Sequence, residues 1–352
     1  MITDKLPAHD LAPVLMGLYG EVGSILASAK KLQREASAYT NHRQHSLEEF
    51  GDALWYFAAL ARRLDENLEA LLGSVSDFSI SAESPRDPRD TPESRMSSLL
   101  ALGQAAAQLL TIERSDSHSQ TLLHGFVASY LHALKTFNMD LRDIMTANVK
   151  KTHGRFLKPQ MSDLPTFDSS FPIEERLPNR FEIAITQRAS GQSYLQWNGV
   201  FIGDPLTDNI VNPDGYRFHD VFHFAHAAIL HWSPTFRALI KQKRKSCPKV
   251  DETQDGGRAI VVEEGLTAWI FSCAKHLDWF EGHDGVSFDL LKTISQFVQG
   301  YEVDSCPLYL WESAILQGYE VFRQVRRNDG GVVIGDRTSR TLTYGPLLQT
   351  ST

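Results

Sequence analysis

Residues 47–64 read LEEFGDALWYFAALARRL, and this stretch decides which fold the N-terminal half can adopt. Its apolar residues recur every three or four positions, a spacing that predicts a helix with one buried face. This face consists of Leu47, Phe50, Leu54, Phe57 and Ala61. Ser46 followed by Glu49 has the spacing of a capping box, so we predict that the helix begins at Ser46 and continues to about Leu72.

Helical periodicity also marks residues 11–37, 96–113 and 119–152, so the N-terminal half is predicted to contain four helices. Residues 74–95 are rich in Ser, Pro and Asp and lack an apolar period, which is typical of a flexible connection. Because each amphipathic helix must bury its apolar face against another element, residues 1–157 are expected to form a four-helix bundle.

A second domain is predicted after a proline-rich linker at residues 158–180. The alternating sequence FEIAITQ at 181–187 predicts a strand, and residues 193–202 predict another with a turn at Asn198–Gly199. Most of the chain that follows has helical periodicity, and residues 330–345 predict a short hairpin. The expected fold class is therefore mainly α, with a mostly helical domain over 181–352 that carries a small β-hairpin element.

The composition excludes several classes of protein. The chain has 352 residues, 42% of them hydrophobic, and a formal net charge of −8, which argues against an extended nucleic-acid-binding surface. The three cysteines form no CxxC pair, so neither a disulfide framework nor a thiolate zinc site is expected. No apolar run approaches the roughly 20 residues of a membrane span, and no leader peptide is evident. We therefore expect a cytoplasmic protein without a membrane partner.

Three carboxylates in two predicted helices form the first candidate site. Glu21 lies in GLYGEVGSILASAKK, and Glu49 and Asp52 share one face of the next helix because they are three residues apart. This face adjoins the apolar stripe, where bare charge is costly, and Mg²⁺ bound to the carboxylate oxygens would remove that cost. Alternatively, these acids are ordinary exposed residues of an amphipathic helix, with Glu49 serving only the capping box.

These residues resemble the MazG-like family of all-α nucleoside triphosphate pyrophosphohydrolases, whose motifs are ExxE on one helix and ExxD on the next. Glu21, Glu49 and Asp52 match three of the four acids, which implies catalytic and metal-binding roles for them. The resemblance covers about residues 10–157. It implies a MazG-like bundle that uses Mg²⁺ to hydrolyse an NTP or dNTP substrate to NMP and pyrophosphate.

A second motif, MDLRDIMTANVKKTHGRF at 139–156, resembles the last helix of the same family. It implies that Asn148, Lys151 and Arg155 bind the phosphates of the nucleotide, with Lys150 as the close alternative to Lys151. The family also implies a homodimer or larger oligomer, because its helices commonly need a partner to complete their core.

Ser24 stands where the family has its fourth acid. A hydroxyl brings no charge, so divalent binding should be weaker than with four carboxylates. This departure supports an alternative function, in which the N-terminal domain senses nucleotides and regulates a metal-dependent C-terminal domain, with phosphohydrolase chemistry as one option for that domain. A third interpretation treats the second domain as an oligomerisation platform without chemistry.

Histidines and acids in the C-terminal half form the second candidate site. His219, His223 and His226 follow one another at helical spacing in YRFHDVFHFAH, with Asp220 about 100° away around the helix. Histidines at i, i+4 can chelate a transition metal, and the acid pair Glu263 and Glu264 is the best source of a third ligand. The alternative is a partly buried helix whose histidines are satisfied by hydrogen bonds.

This half resembles the C-terminal domain that is attached to some MazG-like modules. The resemblance rests on GDPLTDN, YRFHDVFH, KRKS, DGGRA and VEEG, covers about residues 181–345, and implies no settled chemistry. His219–Asp220 is also weakly similar to the HD phosphohydrolase motif, and a non-haem iron site of two histidines and a carboxylate is a further alternative. The cationic run at 237–249 is either a solvated face or, with Arg217, Arg237 and Arg258, a phosphate-binding surface.

Overall fold

The computed structural model describes residues 4–39, 41–73, 92–113 and 118–347. The chain divides into two compact units, Met1–Leu157 and Lys158–Thr352, and each has its own hydrophobic core. The mainly α fold with a small β element is confirmed. Of the predicted flexible connection, residues 74–91 lie outside the described part of the chain.

The first unit is a helical bundle. Its helices are α1 (Ala12–Glu35), α2 (His42–Arg63), α3 (Leu68–Gly73), α4 (Pro92–Leu109), α5 (Ser119–Thr136) and α6 (Leu141–Phe156). Helix α1 packs against α2 and α4, α4 packs against α5, and α2 packs against α6. Phe50 of α2 is fully buried, and its carbonyl accepts a 2.8 Å hydrogen bond from the hydroxyl of Tyr130 on α5.

The helix boundaries in this unit differ from the predictions at several points. The helix predicted to continue to about Leu72 ends at Arg63, and Leu68–Gly73 is a separate helix, because the chain turns at Asp65 in the left-handed conformation (φ 57°). Helix α2 begins at His42, four residues before Ser46, so the capping-box prediction is wrong; the Ser46 hydroxyl instead lies 3.2 Å from His42 Nε2 within the helix. The single helix predicted over 119–152 is two helices, because the chain turns at Asn138 in the left-handed conformation (φ 50°). Asp140 then caps α6 by accepting a 2.6 Å hydrogen bond from the Arg142 amide.

The segment Ala12–Ala38 is long and apolar enough to cross a membrane, as judged by length and composition alone. Its apolar side chains have another explanation, because Val14, Leu18 and Val22 are no more than 1% exposed in the core of the first unit. The buried helix of a bundle meets the same criterion, so the segment does not by itself indicate a membrane span.

The second unit combines a five-stranded antiparallel sheet with helices. Its strands are β1 (Arg180–Gln187), β2 (Ser193–Trp197), β3 (Val200–Leu206), β4 (Gly330–Asp336) and β5 (Thr341–Gly345), in the order β3-β2-β1-β4-β5. Pairing of β1 with β4, with Ile183 opposite Val333, joins the two predicted β elements into one sheet that is larger than the predicted hairpin.

The helices of the second unit follow β3 in the chain and precede β4. They are α7 (Asp220–Ala225), α8 (Pro234–Leu239), α9 (Pro248–Thr253), α10 (Gly257–Ala274), α11 (Phe288–Phe297) and α12 (Leu308–Arg327). Helix α7 continues into a π-helical turn at His226–Leu230. Helices α7 and α12 pack against each other and against β4 and β5, and α7 also contacts α10.

Residues 158–180, predicted as a linker, belong to the second unit in the structure. Leu164 and Leu177 are buried in its core. The buried carboxylate of Asp168 accepts hydrogen bonds from the guanidinium groups of Arg237 (2.7 Å) and Arg337 (2.8 Å). This segment is therefore held by both apolar packing and buried ion pairs.

Candidate functional site

The three acids of the first candidate site meet where α1 packs against α2. One carboxylate oxygen from each of Glu21, Glu49 and Asp52 lies within 4.8 Å of the other two. Burial, together with the negative charges of Asp52 and Glu49, raises the pKa of Glu21 to about 7. The cluster therefore concentrates negative charge in a partly buried position, an arrangement that a cation would stabilise.

Helix α6 places a cation and an amide against this cluster. Asn148 Nδ2 donates a 2.9 Å hydrogen bond to Asp52 Oδ1, and Lys151 Nζ donates one of 2.5 Å to Asp52 Oδ2. Lys151 also forms a 2.9 Å ion pair with Glu48 Oε1. Burial alone would lower the pKa of Lys151, but the charges of Asp52 and Glu48 outweigh burial and raise it.

A glycine allows α6 to approach α2 this closely. A Cβ atom at Gly51 would lie 3.1 Å from the Asn148 Cβ, closer than most side-chain contacts in proteins. The small residue next to Asp52 thus helps to bring the Asn148 amide within hydrogen-bonding distance of the carboxylate.

The remaining residues of the first site lie on α1 and α6. Arg155 follows Lys151 by one helical turn, is half-buried, and has its guanidinium 5.4 Å from the centroid of the Phe156 ring. Ser24 is half-buried one turn after Glu21. Lys150 is exposed, whereas Lys151 contacts the acids, so the geometry favours Lys151 over its alternative.

The second candidate site lies between α7 and α10. Nδ1 of His223 lies 3.1 Å from Glu263 Oε1, and its Nε2 lies 3.3 Å from Glu264 Oε1. Nε2 of His219 lies 3.6 Å from Glu264 Oε2, and Nδ1 of His226 lies 2.9 Å from Glu263 Oε1. The structure therefore brings both acids of the pair against the histidine stripe.

Glu263 is fully buried and charged. Its Oε2 accepts hydrogen bonds from the Ser233 hydroxyl (3.1 Å) and the Thr235 amide (2.9 Å). Burial alone would raise the pKa of Glu263, but His223 and then His226 lower it to about 2. Reciprocally, although burial opposes a charged imidazole, Glu263 and Glu264 raise the pKa of His223 well above its usual value.

Asp220 is buried on α7 but belongs to none of the three groups of possible metal ligands that the described residues form. Burial raises its pKa, and the nearby His219 and His223 oppose that effect only in part. Asp220 therefore lies beside the histidines but is not placed to bind a metal together with them.

Three cationic candidates, Arg217, Arg237 and Arg244, are held in ion pairs with the protein's own acids, whereas Arg258 is exposed. Arg237 is buried against Asp168, and Arg244 of the cationic run is buried between Asp255 and Glu302. The guanidinium of Arg217 donates to both oxygens of Asp208, at 2.8 Å each. These contacts stabilise the second unit. Because the guanidinium groups of Arg217 and Arg237 are already paired with carboxylates, the geometry does not support phosphate binding by either residue.

Sequence reasoning missed the groups that hold the second site in place. The Tyr216 carbonyl lies 2.9 Å from His219 Nδ1, and the Tyr216 and His219 rings stack with centroids 4.3 Å apart. Ser233 and Thr235 begin α8, where Ser233 caps the helix and Pro234 occupies its first turn. The Ser–Pro pair is a readable helix-start signal, but its hydrogen bond to Glu263 could not be read from sequence.

Comparison with known proteins gives one match. Residues 162–348, more than half of the chain, match the family model of the MazG C-terminal domain. No curated protein and no solved structure matches the chain. The matched range contains β1–β5, α7–α12 and the whole histidine–glutamate site, and the chain belongs to the MazG C-terminal domain family.

Proposed function

We propose that the first unit hydrolyses nucleoside triphosphates, NTP or dNTP, to NMP and pyrophosphate with the help of Mg²⁺. The convergence of Glu21, Glu49 and Asp52 within 4.8 Å carries this proposal. Membership of a MazG-related family supports a nucleotide-related function, and the resemblance of residues 10–157 to MazG-like pyrophosphohydrolases supports the reaction. The homodimer and the cytoplasmic location remain predictions from the sequence.

The donor set fits a hard divalent cation. Carboxylate oxygens are the ligands that Mg²⁺ prefers, and Glu21, Glu49 and Asp52 would hold it. Burial and the two neighbouring acids raise the pKa of Glu21 to about 7. A bound cation would favour the charged form of Glu21 and so counteract these effects. Mg²⁺ bound there would neutralise charge on the substrate phosphates and activate the attacking water.

The residues of α6 would orient the substrate. Asn148 and Lys151 fix both oxygens of Asp52, which holds this carboxylate in one orientation. The ammonium group of Lys151 also brings positive charge to the edge of the cluster, where it can attract phosphate oxygens. Arg155 lies one turn further along the same helix and can add a forked contact to a phosphate.

Nucleotide sensing without hydrolysis is the second candidate function, and Ser24 favours it. The cluster has three carboxylates where the family has four, and one of them is already paired with Lys151. A weaker metal site of this kind would bind a nucleotide–metal complex more readily than it would turn the nucleotide over. The bound nucleotide would then regulate the second unit.

One experiment separates the two candidates. The full-length protein is incubated with Mg²⁺ and a panel of NTPs and dNTPs, and NMP and pyrophosphate are measured by chromatography and a coupled assay. Hydrolysis requires equal amounts of both products from at least one nucleotide. If no nucleotide is cleaved but one raises the melting temperature, sensing replaces hydrolysis, because ligand binding stabilises only the folded state.

A further inference from the structure

His219, His223 and Glu264 form a ligand set in the second unit that is separate from the acid cluster of the first. We propose that these three residues bind a first-row divalent transition metal, such as Zn²⁺, Fe²⁺ or Mn²⁺, and that Glu263 positions His223 for this role. The ligand atoms lie within 4.8 Å of one another. Metal binding by these residues does not require nucleotide hydrolysis by the first unit.

The two imidazole rings are oriented alike. His219 Nδ1 must carry a hydrogen, because its neighbour at 2.9 Å, the Tyr216 carbonyl, can only accept. His223 Nδ1 lies 3.1 Å from Glu263 Oε1 as an ion-pair contact, outside the angles of a good hydrogen bond. Metal-binding histidines commonly donate one N–H to a carbonyl or carboxylate, which leaves the other nitrogen for the metal. In both residues that other nitrogen is Nε2, and both Nε2 atoms face Glu264.

The contacts of the two glutamates decide which of them is the ligand. Glu263 accepts from His226, Ser233 and Thr235, so its oxygens are already engaged inside the protein. Glu264 has a side chain that is 37% exposed and contacts the Nε2 atoms of His219 and His223. Glu264 is therefore the third ligand, and Glu263 positions His223 through the other ring nitrogen, Nδ1.

His223 supplies a second, independent observation. Its ring is 0% exposed, yet neither nitrogen makes a hydrogen bond of good geometry to any residue that the structure describes. A buried polar group without a hydrogen bond destabilises the folded protein. A metal at Nε2 would satisfy this nitrogen, which gives a physical reason for a fully buried histidine at this position.

The types of ligand atom and the solvent exposure of the ligand side chains indicate which kind of metal site this is. Imidazole nitrogen suits Zn²⁺, Fe²⁺ or Mn²⁺ better than Mg²⁺, and two histidines with one carboxylate leave coordination positions for water or substrate. The side chain of His219 is 12% exposed and that of Glu264 is 37% exposed, so one side of the set opens to solvent. This arrangement is typical of a reactive metal site rather than a closed structural one.

Metal binding to the full-length protein tests the proposal. The protein is stripped with a chelator and titrated with Co²⁺, followed by visible absorption and by metal analysis of the desalted sample. His219→Ala and Glu264→Gln are compared with His276→Ala, which changes an exposed histidine of the same unit. Every protein compared keeps the acid cluster of the first unit intact, so metal bound by that cluster contributes equally to each measurement.

We expect one Co²⁺ per chain with nitrogen ligation in the wild type and in His276→Ala. His219→Ala and Glu264→Gln should bind this ion at least ~100-fold more weakly, and Glu263→Gln about 10–100-fold more weakly with unchanged stoichiometry. Circular dichroism verifies folding; because His219 and Glu264 reach the surface, their variants decide the outcome even if Glu263→Gln unfolds. Absence of nitrogen-ligated Co²⁺ in the wild type, or wild-type binding by both ligand variants, would overturn the proposal.

Discussion

The ammonium group of Lys151 on α6 lies 2.5 Å from Oδ2 of Asp52 on α2 and joins two motifs that are 99 residues apart in the chain. The same ammonium pairs with Glu48, so it offsets part of the negative charge of the acid cluster. Through this contact the helix with the predicted phosphate-binding residues is held against the helix with the predicted metal-binding residues.

Lys151→Met should weaken nucleotide binding without unfolding the first unit. A hydrogen bond from a charged group is worth about 1.5–3 kcal/mol, so its loss from a phosphate should raise the KM or the Kd for nucleotide by about 10–100-fold. Lys150→Met is the matched control, because Lys150 is the exposed neighbour. Equal effects of the two substitutions on nucleotide affinity would contradict the assigned role of Lys151.

Asp168→Asn should strongly destabilise the second unit. The substitution leaves the buried guanidinium groups of Arg237 and Arg337 without their shared carboxylate, and breaking a buried ion pair costs about 3–5 kcal/mol. Urea unfolding measures the loss, and Asp284→Asn on the surface of the same unit serves as the control. A loss below about 1 kcal/mol would show that this pair does not anchor residues 158–180.

Acid should destabilise the second unit through the same carboxylate. Burial alone would raise the pKa of Asp168, but Arg337 and Arg237 lower it below its ordinary value. The unfolded chain therefore binds this proton first, so the contribution of Asp168 is complete above about pH 4 and declines as the pH falls further. We expect the difference in unfolding free energy between wild type and Asp168→Asn to shrink below pH 4; a constant difference down to pH 2 would contradict the ion-pair account.

Local periodicity was enough to predict the helical bundle but not all of its boundaries. The stripe from Phe50 to Ala61 correctly predicted a buried helix face, because a 3.6-residue period is a local property of the chain. The break between α5 and α6 was missed because apolar residues keep a helical spacing across it. Asp140, the residue that caps α6, was the available signal for that break.

The sheet shows why long-range pairing could not be predicted. Alternation predicts the FEIAITQ strand, and residues 330–345 predict a hairpin, yet the pairing of the two joins Ile183 to Val333 across most of the second unit's sequence. Alternation identifies a strand but contains no information about its partner. The small β element is confirmed, and its predicted segments pair into one five-stranded sheet.

The two candidate sites also combine residues that the sequence predicts with contacts that it does not. Helical spacing placed His219 and His223 on one face, and the family pattern singled out Glu21, Glu49 and Asp52, which the structure brings together. The separate tasks of Glu263 and Glu264 depend on hydrogen bonds from the start of α8, which belongs to a different part of the chain. The metal-binding roles of both groups stay predictions until an ion is measured.

The rate of pyrophosphate release by Glu49→Gln, relative to wild type and Glu69→Gln, tests the central claim most directly. Glu49 belongs to the acid cluster, whereas Glu69 is an exposed glutamate on α3 of the same unit. Metal-ion catalysis contributes several kcal/mol, so Glu49→Gln should release pyrophosphate at least ~100-fold more slowly while Glu69→Gln keeps the wild-type rate. Equal rates for all three proteins with Mg²⁺ and the preferred nucleotide would contradict catalysis at this cluster.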